Sequence, residues 1–187
     1  VLAAEEVLLN SEYGPTVVIN LSTARAIEDL AVQFGATVHR TPVGEINVAK
    51  KMKSVGAVIG GEGSGGVIYS PVHTGRDSLV AVALVLNNLA FSEMSLAEKK
   101  KTLPQYEIIK SKIELKNTEQ TEKLLARVMA RMSPDAMSMD ESDGLRFDYG
   151  DSWLHVRASN TEPVIRLIAE APTREEAEDL IFRATDL

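Results

Sequence analysis

At 187 residues, with 44% hydrophobic and 25% charged side chains, the chain has ordinary globular usage, which excludes the disordered and fibrous classes. Twenty Lys and Arg against 27 Asp and Glu give a net charge of -7, and no basic run exceeds Lys99-Lys100-Lys101, so nucleic acid is not an expected partner. With no cysteine there is no disulfide framework, thiolate nucleophile or cysteine zinc site, and the cytosol is the default compartment.

Residues 1–10 carry Glu5 and Glu6 without a basic leader or an initiating Met, which reads neither as a signal peptide nor as a natural start and suggests an excised piece. Residues 16–20 predict a strand. Ser22 or Thr23 is placed to cap the helix that follows, in which Ala26, Ile27, Leu30, Ala31 and Phe34 recur at helical spacing up to Gly35. Residues 36–40 predict a second strand, 45–53 a second helix and 57–60 a third strand, and this alternation argues for a parallel α/β layer. After a short strand at 67–69, residues 77–90 predict a helix that is apolar on most sides and therefore expected to be largely buried. Its apolar run, 79–86, is far shorter than the roughly 20 residues of a membrane span, so no membrane crossing is expected.

Residues 92–104 are polar, hold the lysine cluster and end at Pro104, which suits a helical connector. At about 150 residues per domain the length admits two small domains, here divided near residue 100. Beyond it, 106–115 predict a strand and 118–132 a helix whose Leu124, Leu125, Val128, Met129 and Met132 stripe belongs to a core. Leu145, Phe147 and Tyr149 alternate up to Gly150-Asp151, then Leu154, Val156 and Ala158 alternate again, a hairpin pattern. Residues 164–169 add a strand, and Thr173 with Glu176 forms a capping box ahead of a last helix. The expected architecture is a three-layer α/β/α domain over 1–100, then a smaller α+β domain over 101–187 with an antiparallel sheet and two helices.

Two segments carry chemistry. Residues 60–66 hold five glycines with Glu62 and Ser64 between them. Gly61, Gly63 and Gly66 satisfy the dinucleotide spacing, but that fingerprint needs a helix to follow, and Val67-Ile68-Tyr69 follows instead. No Gly-Lys-Ser/Thr ending supports a P-loop either. What remains is a loop that lets a ligand approach the backbone and offers one carboxylate and one hydroxyl, a pair suited to a polyol; the other reading is a plain tight turn.

The second segment is Arg157-Ala158-Ser159-Asn160-Thr161-Glu162-Pro163, followed by Arg166. A guanidinium fork with hydroxyl, amide and backbone donors around one turn fits a phosphate, and Arg166 adds a second positive charge. The other reading is a structural turn in which Arg157 pairs with Glu162. His39, His73 and His155 show no metal-ligand spacing and read as packed or surface side chains, and no Gly-x-Ser-x-Gly elbow is present. The acidic clusters at 140–143 and 175–179 read as solvated surface.

Together the two loops resemble those of the C-terminal half of the α-D-phosphohexomutases, the family of phosphoglucomutase, phosphomannomutase and phosphoglucosamine mutase. Thr41-Pro42-Val43-Gly44 leading into a helix, the Gly-Glu-x-Ser-Gly loop at 61–65 and the 157–163 turn occur in the family's order. The resemblance implies that Glu62, Ser64 and Gly65 bind the sugar, and that Arg157, Ser159, Asn160, Thr161 and, more distantly, Arg166 bind the phosphate that is not transferred. It also marks Glu45 as a possible substrate contact. In the family a phosphoserine passes its phosphoryl group to a hexose phosphate, and a bisphosphate intermediate reorients and returns the other one.

The family's serine loop and magnesium loop belong to two earlier domains, and neither motif occurs here. The resemblance therefore implies Mg2+ bound by the missing N-terminal domains, which are also an expected partner, no catalytic residue in this chain, and no catalysis by it alone. Many relatives have histidine where this chain has Gly66, lysine at Leu21 and histidine or aspartate at Glu45, departures that lean toward phosphoglucosamine mutase. The alternative is a phosphosugar-binding module that never joins a catalytic half.

Overall fold

A computed structural model describes residues 1–11, 14–115, 119–159 and 162–186. Its first unit, Val1–Gln105, runs α1 (Leu2–Leu9), β1 (Thr16–Asn20), α2 (Ala26–Gln33), β2 (Thr37–Thr41), α3 (Glu45–Val55), β3 (Ile59–Gly61), β4 (Val67–Tyr69), α4 (Ser78–Ser92) and α5 (Leu96–Thr102). The sheet order is β2-β1-β3-β4, parallel through its first three strands, with β4 added antiparallel at the edge. Val17 and Ile19 of β1 pack with Val7 and Leu8 of α1 and Ile27 and Leu30 of α2, while Val18 packs on the opposite face with Val48 and Met52 of α3. Because both faces are covered, β1 reads as a continuous apolar run rather than an alternating one. Each such side chain contributes about 1.5–3 kcal/mol on burial. The result is the expected three-layer arrangement.

Several local expectations are corrected. Helix α1 went unpredicted: it has no side-chain cap, and Ala3 through Leu8 are all buried, so no polar face marks a helical period. Ser22 and Thr23 do not cap α2, whose N-cap is Arg25 without a side-chain bond; both donate instead to Asn20 Oδ1, at 3.0 and 2.9 Å. The largest departure is α4, of which only Asn88 is buried, while Leu79 and Phe91 are each 81% exposed. An apolar surface favours burial, but whether a partner covers it is decided by the tertiary arrangement and not by the helix.

Lys99 is buried on α5, with Nζ 3.0 Å from Glu5 Oε1 of α1. The division expected near residue 100 falls inside α5, and the compact units part between Gln105 and Tyr106. No single helix among the described residues is long and apolar enough to cross a membrane.

The second unit runs β5 (Glu107–Glu114), α6 (Glu119–Met132), a 3-10 turn (Ser133–Asp135), β6 (Ser138–Asp140), β7 (Leu145–Asp148), β8 (Trp153–Ala158), β9 (Val164–Ala171) and α7 (Arg174–Thr185). Its five strands lie in the order β5-β9-β8-β7-β6, every neighbour antiparallel. Phe147, Leu154, Val156, Ile165 and Leu167 cover one face and pack against Val128 and Met132 of α6 and Ala177 and Leu180 of α7. Helix α7 starts at the expected capping box, whereas Thr118, the expected start of α6, lies outside the described residues. Strand β6 was not foreseen, because three residues ending in Asp140 carry no apolar alternation.

The opposite face of this sheet is polar yet buried in part. Trp153 donates from Nε1 to Glu170 Oε1 at 2.7 Å, and the Arg146 guanidinium lies 4.3 Å from the Trp153 ring centre. His155 is fully buried and donates from Nε2 to the Asp143 carbonyl at 2.7 Å. Burial pushes its pKa below the ordinary value of 6.5, so the ring is held neutral.

Candidate functional site

The glycine loop begins where β3 ends, next to the carboxyl end of its parallel neighbour β1. Between β1 and β3 the chain changes direction across the sheet, with α2 packed on one face and α3 on the other. That is the switch point where open α/β sheets place ligands. Glu62 N–H donates to Gly66 O at 3.0 Å and Gly65 N–H to Glu62 O at 2.9 Å, closing the loop on itself. Gly65 has φ +96°, a left-handed conformation that glycine adopts without strain. A Cβ on Gly63 would overlap the Ser22 carbonyl, so this glycine admits the loop beside the end of β1.

Within the loop, Ser64 and Gly65 are exposed, while the Glu62 side chain is only 7% exposed. The Glu62 carboxylate accepts from Asn20 Nδ2 through Oε1 at 3.2 Å, and its Oε2 lies 3.3 Å from Arg76 Nη1. Arg76 is also paired with Glu45: its backbone N–H donates to Oε1 at 2.9 Å and its Nε to Oε2 at 2.8 Å. Those bonds, the backbone one foremost, hold the Glu45 carboxyl below the usual carboxylate range. Glu45 is placed at the first turn of α3 by Gly44, the N-cap, whose φ of +126° again calls for glycine. The sequence-predicted Glu45, Glu62, Ser64 and Gly65 thus share one neighbourhood, organised by Asn20 and Arg76, which no motif had marked.

A cavity of about 90 Å³ lies beside the loop, bordered by Gly61 and Glu62 but otherwise largely by aliphatic groups such as Val17, Ile19 and Ile59.

In the second unit, Arg157 at the end of β8 is directly opposite Arg166 of β9, which in turn is opposite Lys112 of β5. Like charges directly opposite on neighbouring strands are destabilising, and carboxylates fill the place around these three cations, Glu114 Oε1 lying 3.3 Å from Lys112 Nζ. Asp143 occupies part of it: its Oδ2 is 3.0 Å from Arg157 Nε, with Arg157 only 12% exposed. Arg157 is therefore paired with Asp143 and not with Glu162, and Asp143 does not belong to a merely solvated cluster. Glu162 Oε2 instead receives Arg166 Nη2 at 2.7 Å. Ser159 N–H donates to Val164 O at 2.9 Å, closing the strand end. Asn160 and Thr161, expected around the same turn, lie outside the described residues. A cavity of about 250 Å³ is lined by Lys110, Lys112 and Arg166.

Sequence reasoning missed Lys112, which meets Arg166 only through the sheet register, and Asp143, which reaches Arg157 from the loop before β7. Among the described residues no three His, Asp or Glu side chains converge to hold a metal ion. His39, His73 and His155 belong to no such group; His73 pairs with Asp77 at 3.1 Å.

Comparison with known proteins bears on both units. Residues 1–106 match phosphoglucomutase/phosphomannomutase alpha/beta/alpha domain III, and residues 97–186 match the phosphoglucomutase/phosphomannomutase C-terminal domain. A phosphoglucomutase/phosphomannomutase of Thermococcus kodakarensis is 31% identical over 176 residues, covering 94% of this chain and 38% of that protein. A phosphoglucosamine/phosphogalactosamine mutase of Sulfurisphaera tokodaii is 32% identical over 165 residues, covering 88% of this chain and 36% of that protein. Among solved structures, a phosphoglucomutase/phosphomannomutase family protein of Burkholderia thailandensis superposes with TM-score 0.78 at 25% identity, over 98% of this chain and 40% of that one. The N-acetylphosphoglucosamine mutase of Aspergillus fumigatus, solved with GlcNAc-6P and magnesium, shares the fold at TM-score 0.70 and 17% identity, over 99% of this chain and 42% of its own. The chain thus spans about two-fifths of the length of these proteins. With both units matched in order, this chain belongs to the phosphoglucomutase/phosphomannomutase family, of which it carries domain III and the C-terminal domain.

Proposed function

We propose that this chain is the hexose phosphate-binding part of a phosphosugar mutase that interconverts hexose 6-phosphate and hexose 1-phosphate. Glu62 and Ser64 accept and donate hydrogen bonds to sugar hydroxyls at the glycine loop, with Gly65 keeping the backbone accessible. Arg157, Arg166 and the donors of Ser159, Asn160 and Thr161 hold the phosphate that stays in place during transfer. The observation that carries the reading is the strand register that sets Arg157 directly opposite Arg166, beside the segment with the family's phosphate motif. A phosphate monoester dianion takes the donors that Asp143 and Glu162 leave on these arginines, and positioning by such contacts is the main protein contribution to phosphoryl transfer. In the full-length enzyme the phosphoryl-donating serine and the Mg2+ belong to the preceding domains, and a cytosolic setting suits such an enzyme. Similarity to relatives named phosphoglucosamine mutases supports an amino sugar phosphate as substrate.

The test is an amide NMR titration of the chain with glucosamine 6-phosphate, mannose 6-phosphate, glucose 6-phosphate and inorganic phosphate at matched ionic strength. The expected result is shifts at 157–166 with every phosphate and at 61–66 with sugar phosphates only, strongest for glucosamine 6-phosphate. Shifts at neither loop up to millimolar ligand would refute binding by this part of the molecule.

A further inference from the structure

Arg76 lies outside the three motifs, yet it touches two of the carboxylates they supply. Its guanidinium reaches Glu62 Oε2 at 3.3 Å through Nη1, while Nε and the backbone N–H take both oxygens of Glu45, at 2.8 and 2.9 Å. The path of this side chain is made by an absence. A Cβ built on Gly66 would overlap Arg76 Cδ, and the three atoms nearest to it all belong to Arg76. A side chain at 66 and Arg76 in this position exclude one another. The segment carrying Arg76 is itself braced, because Gly75 N–H donates to His73 Nδ1 at 3.0 Å and His73 Nε2 meets Asp77 Oδ2 at 3.1 Å.

A carboxylate as buried as Glu62, at 7% exposure, needs a countercharge and directed hydrogen bonds to be held in place. The terminal torsion of Glu is broad and roughly two-fold, so one contact leaves the oxygens free to swing. Asn20 on Oε1 and Arg76 on Oε2 remove that freedom from both sides, and each oxygen keeps a lone pair for a further donor.

We infer that Arg76 is a positioning residue of the sugar site, which clamps Glu62 so that its two oxygens meet two hydroxyls of a hexose phosphate, and that Gly66 is the position that admits it. Glu45 orients Arg76 by its two bonds and acts through it. The inference rests on the proposed role of Glu62, and it adds the residue that pre-orders that acceptor and lowers the ordering cost of binding.

The experiment compares the chain with Arg76→Ala, Arg76→Lys and Gly66→Ala, following the Glu62 carboxyl carbon and the Asn20 side-chain amide by NMR, first without ligand and then with glucosamine 6-phosphate or inorganic phosphate. Arg76→Ala is expected to shift both ligand-free signals and to weaken glucosamine 6-phosphate about tenfold while leaving inorganic phosphate unchanged. Gly66→Ala, which displaces Arg76 without removing it, moves the same signals in the same direction, and Arg76→Lys recovers part of the affinity. Ligand-free signals identical to those of the parent chain, or equal loss of both ligands, would overturn the clamp. Silence of residues 61–66 toward glucosamine 6-phosphate in the parent chain overturns the sugar reading instead, and the ligand-free signals still decide the clamp.

Discussion

The two loops hold opposite charges by mirrored means. At the glycine loop a buried anion, Glu62, is restrained by a cation, Arg76, whereas at the 157–163 turn a nearly buried cation, Arg157, is restrained by an anion, Asp143. In both, the group expected to meet ligand belongs to a recognisable motif and its counterion comes from a segment 14 residues away in sequence. The difference lies in the remaining capacity. Glu62 is an acceptor, suited to the hydroxyls proposed for it, while Arg157 is a donor, suited to the proposed phosphate, and stands in a row with Arg166 and Lys112. On the proposed reading, one loop discriminates by hydrogen-bond direction and the other attracts by charge.

The harshest way to break this comparison is to remove the scaffold beneath one side of it. Phe147 is fully buried in the core of the second unit, and Phe147→Ala should cost about 3–5 kcal/mol. Urea unfolding followed by the fluorescence of Trp153, the single tryptophan, will show the transition at lower denaturant. Next in size, Arg157→Ala should reduce affinity for inorganic phosphate and for glucosamine 6-phosphate alike, by about 2 kcal/mol or roughly thirtyfold, read by NMR titration. Unchanged phosphate affinity would remove the second half of the comparison.

Glu62→Gln sharpens it. Replacing one acceptor oxygen by a donor amide next to Arg76 should cost about 1 kcal/mol, roughly fivefold, in glucosamine 6-phosphate affinity by calorimetry and nothing for inorganic phosphate. The smallest effect concerns His155, beside Asp143 and buried neutral. Its folded pKa lies below 6.5, so the unfolded chain takes up a proton where the folded one does not. Stability is therefore full above about pH 6.5 and falls as pH drops below it toward the folded value. Urea midpoints at pH 5.5 and 7.5 will differ in that direction, and His155→Gln will flatten the difference.

Much of this molecule was legible along the chain. The strand and helix alternation of residues 16–61 is written in apolar bursts and helical spacing, because both faces of a covered parallel sheet must be apolar. The capping box at Thr173 and Glu176 formed as its spacing required. Motif chemistry singled out Glu62, Ser64 and Arg157, and the structure gathers Glu62 and Ser64 with Glu45 around one loop. Helix α1 was illegible, since a helix buried all round has no polar face to betray its period, and α4 was misjudged for the complementary reason, that apolar character does not supply a covering partner.

Local chemistry, then, was enough to say which side chains carry charge, which turns need glycine and which segments repeat at a strand or helix period, because those properties depend on residues a few positions apart. Pairing was not. Whether Arg157 meets Glu162 or Asp143, whether Ser22 and Thr23 cap a helix or serve Asn20, and that Arg76 crosses Gly66 to reach Glu62 were decided by strand register and loop path. An ion pair or hydrogen bond forms only when two groups are brought within a few ångströms in the right direction, and for residues far apart in sequence only the folded backbone does that.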